Sequence, residues 1–155
     1  MALHLDDIEI AFATAADTWQ VRQKVLRPNL PIETAKFVED AMPSAIHVVA
    51  RLGAEVVGVA SIYCQPEDLS TGAPNGKIWR LRGMATTDEV RSKGVGSKIL
   101  EKTFRAVKDQ GGTRLWCNAR KAAVPFYQRH GFKIYGDIFE IPGAGPHYVM
   151  KREFT

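Results

Sequence analysis

A glycine-bearing turn between a strand-like and a helix-like segment is the most constraining feature of this chain. The sequence Arg91-Ser92-Lys93-Gly94-Val95-Gly96-Ser97-Lys98 follows a run typical of a strand, residues 78–85, and opens a run typical of a helix, residues 95–110. The first amides of a helix have no acceptor inside the helix, so such a turn presents N–H groups to an anion. The glycines permit close approach of a ligand, and the three cations add positive charge. The segment therefore predicts a phosphate or pyrophosphate site.

Three phosphate-binding patterns share features with this segment. A Walker-type loop requires Lys followed by Ser or Thr after a second glycine, and Gly94 is followed five residues later by Ile99. A dinucleotide fingerprint requires a third glycine, which is missing after Gly96. The pattern Arg-x-x-Gly-x-Gly fits residues 91–96 in full. The segment thus resembles the acyl-CoA-binding loop of the GNAT superfamily of N-acyltransferases, in which this loop holds the pyrophosphate of coenzyme A. An ordinary glycine-bearing helix start is the alternative.

A second set of residues strengthens the resemblance. Asn118 follows a short apolar run, and the sequence Phe126-Tyr127-Gln128-Arg129-His130-Gly131-Phe132 comes after it. Members of the superfamily commonly show a strand, a polar residue such as Asn, and a short helix ending Phe-Tyr-x-x-x-Gly-Phe. The resemblance covers residues 78–132. It implies an α/β fold of the GNAT type, with a mixed and mostly antiparallel sheet of about seven strands, splayed between the fourth and fifth, and four helices.

Composition bounds the class of protein. The chain has 155 residues, 45% of them hydrophobic, which suits one domain spanning residues 1–155. No apolar run is long enough for a membrane span, and the N-terminus lacks the order of a signal peptide. Cys64 and Cys117 show no metal spacing, so we expect reduced thiols, no metal and a cytoplasmic protein. The net charge of +4 suits a polyanionic cofactor without indicating nucleic acid.

Hydrophobic periodicity and turn residues predict the order β-α-α-β-β-β-α-β-α-β-β. The second helix is expected to bury Ala35, Phe37 and Val38, and the third to bury a stripe from Val95 to Val107. Residues 67–76 are expected to form a mobile loop, and residues 142–146 a loop that excludes regular strand. The predicted bounds are strand 8–12, helix 14–26, helix 32–41, strands 45–52, 55–64 and 78–85, helix 95–110, a strand at Leu115, a helix at Tyr127, and strands 133–139 and 147–154.

The resemblance implies roles for individual residues. Tyr127 would act as the general acid that protonates the departing thiolate, the alternative being a tyrosine of the core. Asn118 would bond the pantetheine amides, the alternative being a turn residue after a strand. The residues implied to bind the cofactor are Met84, Ala85, Thr86, Arg91, Ser92, Lys93, Gly94, Val95, Gly96, Ser97 and Asn118.

The general base is not defined by the sequence. Many relatives carry a carboxylate on the fourth strand, where this chain has Arg80 and Arg82. Glu140, His147 and Asp40 are the remaining candidates, and no base is needed if the amine arrives neutral.

Candidate acceptor-binding residues are Arg82, Glu140 and His147. Arg82 would pair with a substrate carboxylate, or would instead lie on a solvated face or pair with Asp40 or Glu101. Three residues of the first helix region would help to shape the acceptor site: Trp19, Arg22 and Arg27.

The sequence therefore predicts an N-acetyltransferase that moves an acetyl group directly from acetyl-CoA to a primary amine of a small molecule. Two alternatives remain open: transfer to a protein or peptide amine, and a non-catalytic module that senses acyl-CoA. Neither nucleic acid nor membrane is expected as a partner, and a homodimer is left open.

Overall fold

The computed structural model describes residues 5–68 and 76–154 of the chain. Its strands form one seven-stranded sheet in the order β1-β2-β3-β4-β5-β7-β6. The predicted mostly antiparallel sheet of seven strands is confirmed. The predicted loop at residues 67–76 lies mainly outside the described residues. The strands are β1 (Ile8–Ala13), β2 (Ile46–Leu52), β3 (Glu55–Cys64), β4 (Ile78–Thr86), β5 (Arg114–Arg120), β6 (Lys133–Ile141) and β7 (Gly145–Glu153).

One strand pair is parallel. β4 runs alongside β5 over three residue pairs, from Ile78 opposite Arg114 to Arg80 opposite Trp116. β1 with β2, β2 with β3, β5 with β7, and β6 with β7 are antiparallel. β7 begins at Gly145, so the predicted exclusion of residues 145 and 146 from regular strand is wrong. Pro146 is accommodated because it is only the second residue of its strand.

Among the described residues the structure has three α-helices, so the predicted count of four is wrong. They are α1 (Ala16–Val21), α2 (Val95–Asp109) and α3 (Val124–Arg129). A π-helical turn, Arg22–Leu26, continues α1 to the predicted end of the first helix. The predicted second helix is instead two 3-10 turns, Ile32–Ala35 and Val38–Ala41.

The break between these two turns has a local and a tertiary cause. Lys36 and Phe37 adopt extended backbone angles, so the helix cannot continue through them. The Phe37 amide donates to the carboxylate of Asp40 at 3.2 Å, which starts the second turn. Asp40 is fixed in turn by Arg22, a contact that helical periodicity does not reveal. Val38 consequently points to solvent, 88% exposed, and its predicted burial is wrong.

The chain divides into two compact units. The first unit comprises residues 1–63 and 83–106, and the second comprises residues 64–82 and 107–155. The first unit has an apolar cluster built from Val21, Val49, Val59 and Ala85. The predicted stripe of α2 is buried, as expected of an amphipathic helix. The second unit buries Leu115, Met150 and Phe132, among others.

A charged side chain lies at the centre of the first unit. Arg22 has no solvent exposure, and its guanidinium binds both carboxylate oxygens of Asp40, at 2.7 and 3.0 Å. It also donates to the Ala35 carbonyl at 2.8 Å and to the Ser61 hydroxyl at 2.7 Å. A buried charge is tolerated only when it is paired and hydrogen-bonded in this way.

Two further side chains complete this network. The Tyr63 hydroxyl donates to Asp40 Oδ1 at 2.6 Å, and His47 Nδ1 lies 2.6 Å from Ser61 Oγ. Burial alone would raise the pKa of Asp40, but the hydrogen bonds from Arg22 and Tyr63 outweigh it and hold that pKa below its ordinary value. Burial raises the pKa of Tyr63 and lowers that of His47. Asp40 is therefore an ionised structural partner.

We predict that Asp40→Asn destabilises the protein by about 3 kcal/mol at neutral pH, because the buried Arg22 charge loses its counter-ion. The folded-state pKa of Asp40 is depressed, so its contribution is present above the unfolded-state pKa of about 4 and is lost as the pH falls through the folded-state value. Urea unfolding measures the free energy of unfolding of the wild-type protein and of Asp40→Asn. The difference between these two free energies should narrow as the pH falls into the acid range.

Asp88→Asn is the matched control, because the Asp88 side chain is 91% exposed in its pair with Arg91. It should change the unfolding free energy by less than about 1 kcal/mol. Equal effects of the two substitutions would contradict a central role for the buried pair.

Candidate functional site

The predicted anion-binding turn has the expected strand–turn–helix setting. β4 ends at Thr86, residues 91–94 form an exposed turn, and α2 begins at Val95. Ser92 and Gly94 both have left-handed backbone angles, with φ of 63° and 86°. A Cβ atom on Gly94 would meet nothing within 4 Å, so backbone conformation, and not crowding, favours glycine there.

The turn combines positive charge with backbone N–H groups that have no acceptor inside the helix. The first helical bond of α2 runs from the Lys98 amide to the Gly94 carbonyl at 3.2 Å, and the amides of the first turn precede it. Arg91 holds the exposed Asp88 at 2.8 Å and donates to the Thr86 carbonyl at 3.3 Å. A surface ion pair of this kind is weak and exchanges readily for a phosphate. The residues present therefore fit a pyrophosphate.

Tyr127 lies on α3 within the second unit and is buried. Its ring packs edge-on against Phe126 and Phe132, with centroids 5.3 and 5.2 Å away. Burial raises the pKa of the Tyr127 hydroxyl well above its ordinary value. The phenol is consequently protonated throughout the physiological range, the state that a proton donor requires.

Asn118 lies inside β5, half-buried and opposite Val149 of β7. β5 extends to Arg120, beyond the apolar run that suggested its end. The alternative that Asn118 is a turn residue is therefore wrong.

Glu140 and His147 lie on neighbouring strands but do not share a face. His147 is opposite Phe139 in the β6–β7 register, whereas Glu140 is opposite Pro146, and adjacent strand residues point to opposite faces. His147 is buried, and its Nδ1–H donates to the Gly145 carbonyl at 2.7 Å, which leaves Nε2 as the acceptor nitrogen of the neutral ring. Glu140 is exposed.

Successive side chains of a strand point to opposite faces. On β4, Trp79 and Leu81 are buried on one face, so Arg80 and Arg82 share the other. Arg80 donates to the side-chain oxygen of Gln65 at 3.2 Å, and its guanidinium lies 4.9 Å from the centre of the Trp116 ring. The Asp40 carboxylate suggested as a partner for these arginines binds Arg22 instead.

An open cavity of about 640 Å³ lies beside α1 in the first unit. It is bordered by polar side chains, among them Asp17, Gln20, Lys24 and Glu55. None of the predicted site residues borders it.

Residues 5–68 and 76–154 contain no cluster of three or more His, Cys, Asp or Glu placed to bind a metal. None of the helices in the same ranges is long and apolar enough to cross a membrane.

Sequence reasoning missed the network of His47, Ser61 and Tyr63 around Arg22. The signal available was weak: Ser61 and Tyr63 are two residues apart in an apolar strand, which places both on one face. Nothing in the spacing of residues shows that Arg22 and Asp40 meet on that face.

Comparisons with known proteins agree on one family. The family model for the acetyltransferase (GNAT) domain matches residues 43–134. The chain is 33% identical to YitI, an uncharacterized N-acetyltransferase of Bacillus subtilis (strain 168), over 92% of this chain and 94% of that protein. The crystal structure of Escherichia coli ElaA has a TM-score of 0.76 at 21% identity, covering 94% of this chain and 99% of that one.

An aminoglycoside 6′-N-acetyltransferase complexed with coenzyme A has a TM-score of 0.75 at 16% identity. The match covers 94% of this chain and 96% of that one. At these identities the two solved structures show a shared fold.

Both cysteines are free thiols and buried. Burial raises the pKa of Cys117 to about 12, despite the opposing effect of the nearby Arg80 charge. A thiol with this pKa is almost entirely protonated at neutral pH and is a poor nucleophile.

We predict that neither Cys64 nor Cys117 reacts with Ellman's reagent in the folded protein near pH 8, because both thiols are buried and the raised pKa of Cys117 also keeps that thiol protonated. Both should react when urea unfolds the chain. Rapid labelling of Cys117 in the folded state would show that the second unit opens readily or that the thiol is activated.

Proposed function

Because the chain belongs to the GNAT family of acetyltransferases and is an acetyltransferase, we propose that it moves an acetyl group directly from acetyl-CoA to the primary amine of a small-molecule acceptor. The observation that carries the proposal is the exposed turn at residues 91–94, which leads into the 15-residue helix α2. Its backbone angles and charges suit the pyrophosphate of coenzyme A.

The proposed cofactor residues act mainly through their backbone. Residues 91–97 seat the pyrophosphate, with amides of the first helical turn as donors and Arg91 as the cation beside them. Met84, Ala85 and Thr86 at the end of β4 supply backbone bonds to the pantetheine and acyl group, and backbone N–H groups polarise the thioester carbonyl. Asn118 binds the pantetheine amides.

Tyr127 is the proposed general acid. The amine nitrogen bonds to the carbonyl carbon, the carbon–sulfur bond breaks, and the sulfur receives the proton of Tyr127 Oη. The amine gives up a proton to water or to a base, and the Tyr127 phenolate regains a proton from solvent, so the net reaction leaves the enzyme unchanged. The raised pKa of Tyr127 supports donation over abstraction, since the phenol stays protonated until strongly alkaline pH.

The acceptor class is the part of the proposal that needs direct measurement. One structural neighbour is an aminoglycoside acetyltransferase, which supports a small-molecule amine. Arg82, Glu140 and His147 are the proposed acceptor-binding residues. A thiol-release assay with acetyl-CoA against small amines, amino acids and peptides tests this class. Turnover of peptides alone would favour a protein acetyltransferase, and coenzyme A binding without turnover of any amine would favour a sensor.

We further propose that the two units of the chain form one functional domain. The family match spans parts of both units, which supports the proposal that they work as a single domain of residues 1–155. We also predict that the protein is cytoplasmic and works without nucleic acid, membrane or metal. Whether it forms a homodimer stays open.

We predict that the protein binds coenzyme A in the micromolar range, about −8 kcal/mol, and that Gly96→Glu abolishes binding at that level. The new side chain blocks approach to the backbone and adds a negative charge beside the pyrophosphate. Calorimetry measures the affinity. Gln110→Glu, at an exposed position just after the C-terminal end of α2, makes the same change in net charge and should leave binding intact. An unchanged affinity of Gly96→Glu for coenzyme A would contradict the assignment of residues 91–97 as the pyrophosphate-binding loop.

We predict that Tyr127→Phe lowers turnover about 10²-fold or more, because the proton donor is lost while the packed ring is kept. Coenzyme A affinity should change little, so the loss falls on kcat. The effect should shrink with an acyl donor whose leaving thiol is more acidic.

Tyr135→Phe is the control, since Tyr135 lies 44% exposed on β6 and has no assigned role. Wild-type turnover by Tyr127→Phe, with chemistry shown to limit the rate, would make Tyr127 a core residue.

A further inference from the structure

β4 contains a left-handed residue immediately before the proposed acyl-binding segment. Gly83 has φ of 67°, whereas a regular strand residue has a negative φ. A Cβ atom at this position would lie 2.9 Å from Arg22 Nε and 2.9 Å from Phe37 Cε2. Glycine is therefore required twice over, by its backbone angle and by the side chains that pack directly against it.

The Arg22 side chain that packs on Gly83 is held from several directions. Its two terminal nitrogens bind Asp40, Ser61 and the Ala35 carbonyl, and its guanidinium lies 4.0 Å from the centre of the Phe37 ring. The remaining nitrogen, Nε, is buried and has no hydrogen-bond partner among the described residues. A buried donor without an acceptor costs free energy, so burying Arg22 Nε–H lowers the stability of the folded state locally.

This penalty is informative about what the arginine does. Replacing a whole buried ion pair by well-packed apolar side chains is often neutral or stabilising, so stability alone is a weak reason for a buried arginine at this place. A planar guanidinium fixed by three polar groups instead gives a rigid surface, one that a flexible apolar chain does not provide. The surface it presents is the one on which Gly83 rests.

We propose that Arg22 is a positioning residue for acetyl transfer, which holds Gly83 in its left-handed conformation and thereby sets the direction of the peptide groups at Met84, Ala85 and Thr86. This inference rests on the proposed function of those three residues. A left-handed residue redirects the strand that follows it, and donors to a developing oxyanion act only when they are aimed at it. The first unit contains Arg22 as well as Gly83 and residues 84–86.

Arg22→Lys is the primary test, because lysine keeps the charge and removes the planar fork. We expect kcat to fall by about 10²-fold, the loss typical of a misdirected oxyanion donor, at a temperature where the variant is folded. The affinity for coenzyme A, measured by calorimetry, should fall by less than about tenfold, since the backbone bonds of residues 84–86 to the pantetheine weaken while the loop at residues 91–97 is untouched. Lowered thermal stability with an unchanged kcat would overturn the proposal.

A double-mutant cycle tests the route through Gly83. Gly83→Ala introduces the Cβ atom that meets Arg22, and it should lower kcat as Arg22→Lys does. If Arg22 acts through Gly83, the double variant should lose no more kcat than the worse single variant. Losses that multiply would overturn the proposal. Gly111→Ala is the control for backbone strain alone, because Gly111 has φ of 80° and open space around it, and its kcat should stay at the wild-type level.

A structural readout separates this inference from the proposed function. If the wild-type protein turns over no amine, the proposed function fails, and the amide resonances of residues 84–86 still report on Arg22. They should shift in Arg22→Lys and stay in place in Gly111→Ala. If Arg22→Lys does not fold, Phe37→Leu loosens the same stack more gently and should move the same resonances. Unmoved resonances in the folded variant would overturn the positioning role.

Discussion

The buried ion pair between Arg22 and Asp40 organises the first unit. It joins the π-helical turn after α1 to the 3-10 turn at Val38–Ala41, and through Ser61 and Tyr63 it reaches β3. Such a pair gives little net stability compared with apolar packing, yet it admits few arrangements because every donor needs a matching acceptor. Its physical effect is specificity of geometry, and the geometry extends to Gly83 on β4.

The two parts of the proposed chemistry depend on different physical properties. In the proposed function, the turn at residues 91–94 binds its anion through exposed backbone, which most side-chain changes leave in place. Tyr127 relies on the opposite condition, because exclusion from water keeps its proton in place. The proposed acetyl transfer uses both conditions, with the pyrophosphate bound at the surface and the proton transfer protected from solvent.

The sequence predicted those features that depend on neighbours in the chain. The strand–turn–helix at residues 78–110, the buried stripe of α2 and the seven strands all follow from local periodicity and glycine placement. Residues 32–41 were predicted incorrectly because Asp40 is drawn away from helical geometry by Arg22, which is eighteen positions earlier in the chain. Site roles drawn from resemblance stay predictions, since residue identity does not fix the distances between them.

The placement of charge narrows the search for a general base. The ionised Asp40 is already paired with Arg22 and hydrogen-bonded by Tyr63, and its lowered pKa makes it a weak proton acceptor. Glu140 is exposed, and it lies on the opposite face of the sheet from His147. His147 differs from both, because the Gly145 carbonyl fixes its Nδ1 proton and leaves Nε2 as the acceptor. If the amine requires a base from this chain, the hydrogen-bonding pattern favours His147 over the two carboxylates.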